Sequence, residues 1–298
     1  MIKKFVTHGA ETNRTIYTGN GHIMKFNTLS CIIASALMST ALHAEEISNT
    51  ETEEDQLQTW ELSLGLDYSR NGYEDSSHLS DRNLSANASI IYNYDPDVYF
   101  TAKFSGYHSY DDLRGDYWDD IWLTATKKNL WEPADYISMA VGSRILIPVS
   151  DLSKKTDLQT AIRGDIKFTI ELDNILEGLQ ISDAVRLRKN FHKYTTVGSL
   201  PLEEYRLSNV FAIDYSVNDW FFNINLVSST SWSYRGTSYS PKLTHATEIG
   251  YQFTDNFSSA MGMTNSATYY DPDRGPSPLN TLFDLKNPTY YLTLNYNY

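Results

Sequence analysis

The chain has little of what several common protein classes depend on. It has one cysteine in 298 residues, Cys31. That residue falls in a segment that reads as a leader, so the mature chain would have no disulfide, no thiol nucleophile and no thiolate metal site. No run approaches the roughly 20 apolar residues of a membrane-spanning helix. Positive charge is also scarce, with 24 Lys and Arg against 37 Asp and Glu, a net charge of −13. Such a balance argues against nucleic acid as a partner, because those proteins bind through basic patches. The missing apolar run does not bear on crossing a membrane with strands, in which half the residues are polar.

The first 58 residues read as address and tail. Met24-Lys25 opens a short basic region, Leu29 to Met38 is apolar, and Leu42-His43-Ala44 offers a cleavage site before Glu45. Residues 24–44 are therefore expected to be a signal peptide and 1–23 an upstream extension. Leu42 is larger than the residue preferred three positions before a cut. A lipoprotein reading at Leu29-Ser30-Cys31 lacks the apolar stretch that should precede the cysteine. Removal of 1–44 takes away four basic residues and one acid, which leaves 20 basic against 36 acidic and a net charge of −16. Residues 45–58 carry six acids and almost nothing apolar, the composition of a disordered, solvated lead-in.

Tyrosine, by contrast, is abundant, at 22 residues. The clearest pattern runs from Tyr205 to Trp232. Tyr205, Leu207, Phe211, Ile213, Tyr215 and Val217 share one face, and after Asn218-Asp219 so do Trp220, Phe222, Ile224 and Leu226. Period two is the strand signal. Both arms are long enough for the roughly 9–11 residues of a tilted membrane strand. Aromatics stand at the ends of the apolar face and aliphatics in its middle, as girdles around a lipid band require. The same alternation recurs from Trp60 to Tyr298 and predicts twelve strands, of which the fourth (through Ile121, Leu123, Ala125) and the seventh (through Leu179, Ile181, Val185, Leu187) are the least regular. Tight turns near 95, 133, 173, 218 and 255 alternate with six longer loops. The expectation is an all-β chain over 59–298, a single antiparallel transmembrane barrel with short periplasmic turns and longer extracellular loops. A soluble propeller and a β-sandwich are the competing readings, but no glycine-aromatic repeat supports the former.

The leader, the long alternating strands and the aromatic C-terminus resemble a Gram-negative outer-membrane β-barrel. In that class the last strand is the assembly signal, and Tyr290, Leu292, Leu294, Tyr296 and Tyr298 match its pattern. The resemblance covers about 59–298 and implies outer-membrane lipid, lipopolysaccharide and the barrel-assembly machinery as partners. By size the chain is similar to twelve-stranded oligosaccharide porins for acidic sugars, although no diagnostic motif of that family matches residue by residue.

Alternation directs Lys103, Arg144, Arg163, Lys167, Arg186, Arg188 and Arg206 inward, together with Glu61, Asp67, Asp120, Asp165, Glu171, Asp214 and Glu248. Arg144, Arg163, Arg186, Arg188 and Arg206 come from strands five to eight and are expected near the outer mouth. Two readings stand side by side. The arginines attract anionic solutes, as guanidinium groups pair well with carboxylate and phosphate, or they pair with Asp165, Asp214 and Glu248 and brace a plug. The leading functional expectation is a passive channel for small hydrophilic solutes, anionic ones included, with no cofactor. The alternatives are a barrel hydrolase acting on lipids and a closed structural or surface-recognition barrel. For a hydrolase, His108, His192 and His245 have no evident nucleophile; His108 and Ser109 are adjacent on a strand and point to opposite faces. No catalytic residue and no metal site is assigned. Asp271-Pro272-Asp273 and the acids of the second loop fit no defined calcium spacing.

Overall fold

The computed structural model describes residues 59–75, 77–111, 114–268, 270–271, 275–276 and 288–298. The upstream extension, the signal peptide, the acidic lead-in and most of the 271–287 loop lie outside the described residues. Twelve long strands follow in order: β1 (Trp60–Asn71), β2 (Arg82–Asp95), β3 (Val98–Ser109), β4 (Ile121–Ala134), β5 (Ile137–Ile147) and β6 (Leu158–Glu171). They continue with β7 (Leu179–His192), β8 (Glu203–Val217), β9 (Trp220–Ser233), β10 (Lys242–Thr254), β11 (Phe257–Thr268) and β12 (Thr289–Asn297). Each is antiparallel to the next, and β1 pairs with β12 from Ser63↔Asn297 to Asn71↔Thr289, which closes the ring. A single closed sheet excludes both the propeller and the sandwich.

Local chemistry accounts for the connections. Two residues join β2 to β3, β4 to β5, β8 to β9 and β10 to β11. Asn218 adopts φ 51°, the left-handed backbone that a two-residue hairpin demands and that Asn tolerates. The start of β1 and the end of the chain meet at the short-turn rim. Tyr298 N–H donates to the Leu62 carbonyl at 2.8 Å, and Leu62 N–H donates back at 2.8 Å. The terminal aromatic residue thus joins the closing seam.

The polarity of the barrel is inverted relative to a soluble domain. Leu64 and Leu66 are each 43% exposed on the outer face, whereas Thr101, Thr124, Asn223 and Asn225 are buried inside. An apolar band of this kind is stable against lipid and costly against water. Aromatic rings line its short-turn edge: Trp60 lies 4.6 Å from Tyr92, Trp220 5.0 Å from Tyr251, and Phe253 5.6 Å from Phe257, centroid to centroid. Polar side chains also stand on the outer face. Asn209 donates to both Asp183 carboxylate oxygens, at 2.9 and 3.1 Å.

The long-loop rim holds features that periodicity does not predict. Gly115–Trp118 forms an extra short strand on β3. The register passes from Lys103↔Trp122 to Gly106↔Trp118, so residues 119–121 oppose only 104–105, a β-bulge. The connection between β5 and β6, one of the longer loops, contains a one-turn helix, Asp151–Lys155, capped by the Ser150 side chain. Asp120, expected among the inward charges, ties that helix down while its charge is felt by Arg188. It accepts from Val149 N–H at 3.0 Å, Ser150 N–H at 2.9 Å and the Ser153 hydroxyl at 2.5 Å.

Gly142 shows how tightly the inner wall is fitted. A Cβ there would lie 2.6 Å from Asp165 Oδ2. Gly142→Val is expected to displace the carboxylate and lower barrel stability by about 1–3 kcal/mol, the usual cost of overpacking. Urea unfolding followed by gel mobility measures this; an unchanged midpoint would contradict the fit.

Candidate functional site

The candidate site is the inner wall at half-height. Lys103, Asp165 and Arg186 stand near the mid-length of β3, β6 and β7. Arg144 and Arg163 are register partners across β5 and β6, and Asp165 and Arg186 across β6 and β7. Each of these side chains points inward because its neighbours in sequence (Ile145, Ile162, Ile166, Val185, Leu187) occupy the lipid face. The five arginines expected at the outer mouth are therefore spread along the lumen. Arg144, Arg163 and Arg186 lie deep, and only Arg188 and Arg206 continue toward the long-loop rim. Tilted strands cause the difference, because partners in register climb around the barrel rather than sharing one height.

Electrostatically the deep set is lopsided. Lys103 feels the charges of Arg144, Arg163 and Arg186, and within this group Asp165 is the counter-charge. Asp165 Oδ1 accepts from Arg163 Nε at 3.3 Å. Arg144 Nε, Arg163 Nη2 and Arg186 Nε are shielded from water and have no hydrogen-bond partner among the described residues. Charged donors buried in this way are costly unless something accepts from them. Trp122 floors the group, with the Arg163 and Arg188 guanidinium carbons 5.9 and 5.3 Å from its ring centroid. Its inward direction is implicit in the alternation of Ile121 and Leu123, but nothing in the sequence marks it as part of the site.

The remaining candidates have partners of their own. Arg188 Nε donates to Asn190 at 2.7 Å, and Arg206 donates through Nε and Nη2 to the one oxygen Oε2 of Glu203, at 3.2 and 2.9 Å. Lys167 senses Asp214, and Asp214 accepts from Asn223 Nδ2 at 2.5 Å. Glu248 lies beside the Tyr291 hydroxyl, and Asp67 accepts from Asn87 at 2.9 Å and from the Thr293 hydroxyl. Glu171 is exposed at the short-turn end of β6. Of the three acids expected to brace the arginines, only Asp165 forms an ion pair with one among the described residues. The plug-bracing reading is thereby confined to the Arg163–Asp165 pair.

The partners of the histidines lie elsewhere than Ser109 in the contacts of the described residues. His108 Nδ1 is 2.7 Å from Asp116, and His192 Nδ1 is 3.2 Å from the Tyr234 hydroxyl. His245 sits opposite Leu226 and Asn265 on the outward-facing row of β10. Of the Asp271-Pro272-Asp273 run, Pro272 and Asp273 lie outside the described residues.

No family model matches the sequence, and no curated protein matches it. Solved structures do match by fold. The COG4313 outer membrane channel from Pseudomonas putida F1 aligns at a TM-score of 0.55 and 12% identity, over 85% of this chain and 100% of that one. The NanC porin aligns at 0.52 and 9%, over 79% and 98%. At these identities the likeness concerns architecture alone. The chain has the closed, twelve-stranded antiparallel fold of outer-membrane β-barrels.

Proposed function

We propose that the protein is a passive channel in a bacterial outer membrane for small hydrophilic solutes, with anionic ones favoured. The observation that carries this reading is the deep cationic group. Lys103, Arg144, Arg163 and Arg186 surround one carboxylate, and three of their N–H donors face no acceptor among the described residues. A permeating carboxylate or phosphate offsets the excess positive charge of this group. Binding there stays shallow enough for release, because the group lines a hydrophilic wall and the solute keeps much of its water. The outer membrane channel and the porin of similar architecture support the reading at the level of fold. The apolar band would be solvated by outer-membrane lipid and, at the long-loop rim, lipopolysaccharide. The last strand, with Tyr290, Leu292, Leu294, Tyr296 and Tyr298, would engage the barrel-assembly machinery.

Reversal potentials across a salt gradient test the arginines directly. The Arg186→Ala/Arg188→Ala variant is expected to lose most of the chloride-over-potassium preference of the wild type. An unchanged reversal potential would remove these residues from the account.

A further inference from the structure

The lumen has a second charged wall that anion attraction leaves unexplained. Glu248 on β10 feels the charge of Asp67 on β1 across β12, whose Tyr291 hydroxyl lies beside Glu248. Room for Tyr291 is made by Gly262, where a Cβ would overlap the phenol. Asp67 is fixed in place by Asn87 and Thr293. Neither acid forms an ion pair among the described residues. In a ring of twelve strands, β6 faces β12, β7 faces β1 and β4 faces β10. Arg163 and Asp165 therefore look across at Tyr291 and Thr293, Arg186 looks across at Asp67, and the ring of Trp122 looks across at Glu248. Asp67 and Glu248 stand near the mid-length of their strands, as do Lys103 and Arg186 of the cationic wall.

Cations on one side and carboxylates on the other, at one height, create a field across the lumen rather than along it. Twelve strands spaced ~4.8 Å apart and tilted ~40° enclose a backbone diameter of roughly 24 Å. Long side chains on both walls leave a gap on the order of 10 Å. An extended peptide advances about 3.3–3.6 Å per residue, so a tripeptide spans that gap from ammonium to carboxylate. A simple anion is held on one side and repelled by the other. A zwitterion of matching length is held on both, and it presents no net charge to either.

From this opposition we infer that the channel selects short zwitterionic peptides, bound crosswise with the carboxylate at Arg144, Arg163 and Arg186 and the ammonium at Asp67 and Glu248. Three arginines gathered in register around the single carboxylate of Asp165 mark the carboxylate end. The inference rests on the channel reading, since a closed barrel admits nothing.

Liposome swelling with four size-matched solutes provides the test: trialanine, N-acetyl-trialanine, trialanine amide and the doubly capped peptide. Wild-type protein is expected to admit trialanine several-fold faster than any capped form. In the Asp67→Asn/Glu248→Gln variant that advantage over N-acetyl-trialanine disappears while the chloride preference rises. Equal rates for trialanine and the doubly capped peptide in the wild type would overturn the inference without recourse to a variant. So would a trialanine advantage that survives in the variant. A wild type that prefers chloride yet treats all four peptides alike keeps the channel reading and loses this one. A wild type that conducts nothing loses both.

Discussion

The Arg163→Glu/Arg186→Glu variant is expected to turn the lumen from anion-selective to cation-selective. The two exchanges shift the deep wall by four charges, and nothing nearby compensates, because Asp165 is the counter-charge already present. At about 6 Å in water-like dielectric each unit charge is worth about 0.7 kcal/mol to a passing ion. Four of them amount to about 3 kcal/mol for each ion, against chloride and in favour of potassium, or on the order of ten-thousandfold in the chloride-to-potassium ratio at low salt, shrinking as salt screens the wall. The reversal potential should change sign. Retention of the wild-type sign would mean that ions do not pass this group.

Asp165→Asn is expected to have the largest effect on stability of any single substitution in the lumen. The side chain is the carboxylate among Arg144, Arg163 and Arg186, and it sits in the notch over Gly142. The amide is nearly isosteric, so packing is preserved while the counter-charge is lost. Breaking a largely buried pair from one side costs about 3 kcal/mol, and the urea midpoint should fall accordingly. Asp214→Asn is the control. Asp214 is bonded to Asn223 and stands apart from the deep arginines, so its exchange should cost about 1 kcal/mol. A wild-type midpoint for Asp165→Asn would show that lumen water, not Asp165, neutralises the arginines.

The strands are legible in the sequence because each has to satisfy two solvents at once. Lipid on one face and water on the other impose period two on every strand, and even β4 and β7 carry it. Asp183 breaks the pattern on β7, and its contact with Asn209 on β8 explains how the outer face accommodates it. The Asp151–Lys155 helix is not legible, since five residues are too few to display a helical period. The bulge opposite Ser105 depends on one extra residue, which alternation within a strand does not register. Height is the larger gap. Periodicity states which way Arg144 and Arg163 point, but the stagger between tilted strands decides how deep they lie. Pairings such as Asp67 with Thr293, which join the first strand to the last, arise only when the ring closes.

Single-channel recording of refolded residues 45–298 in a planar bilayer, under a salt gradient, bears most directly on the channel reading. The account predicts stable conductance steps with a reversal potential on the anion-selective side. A folded, heat-modifiable barrel that conducts nothing would contradict it.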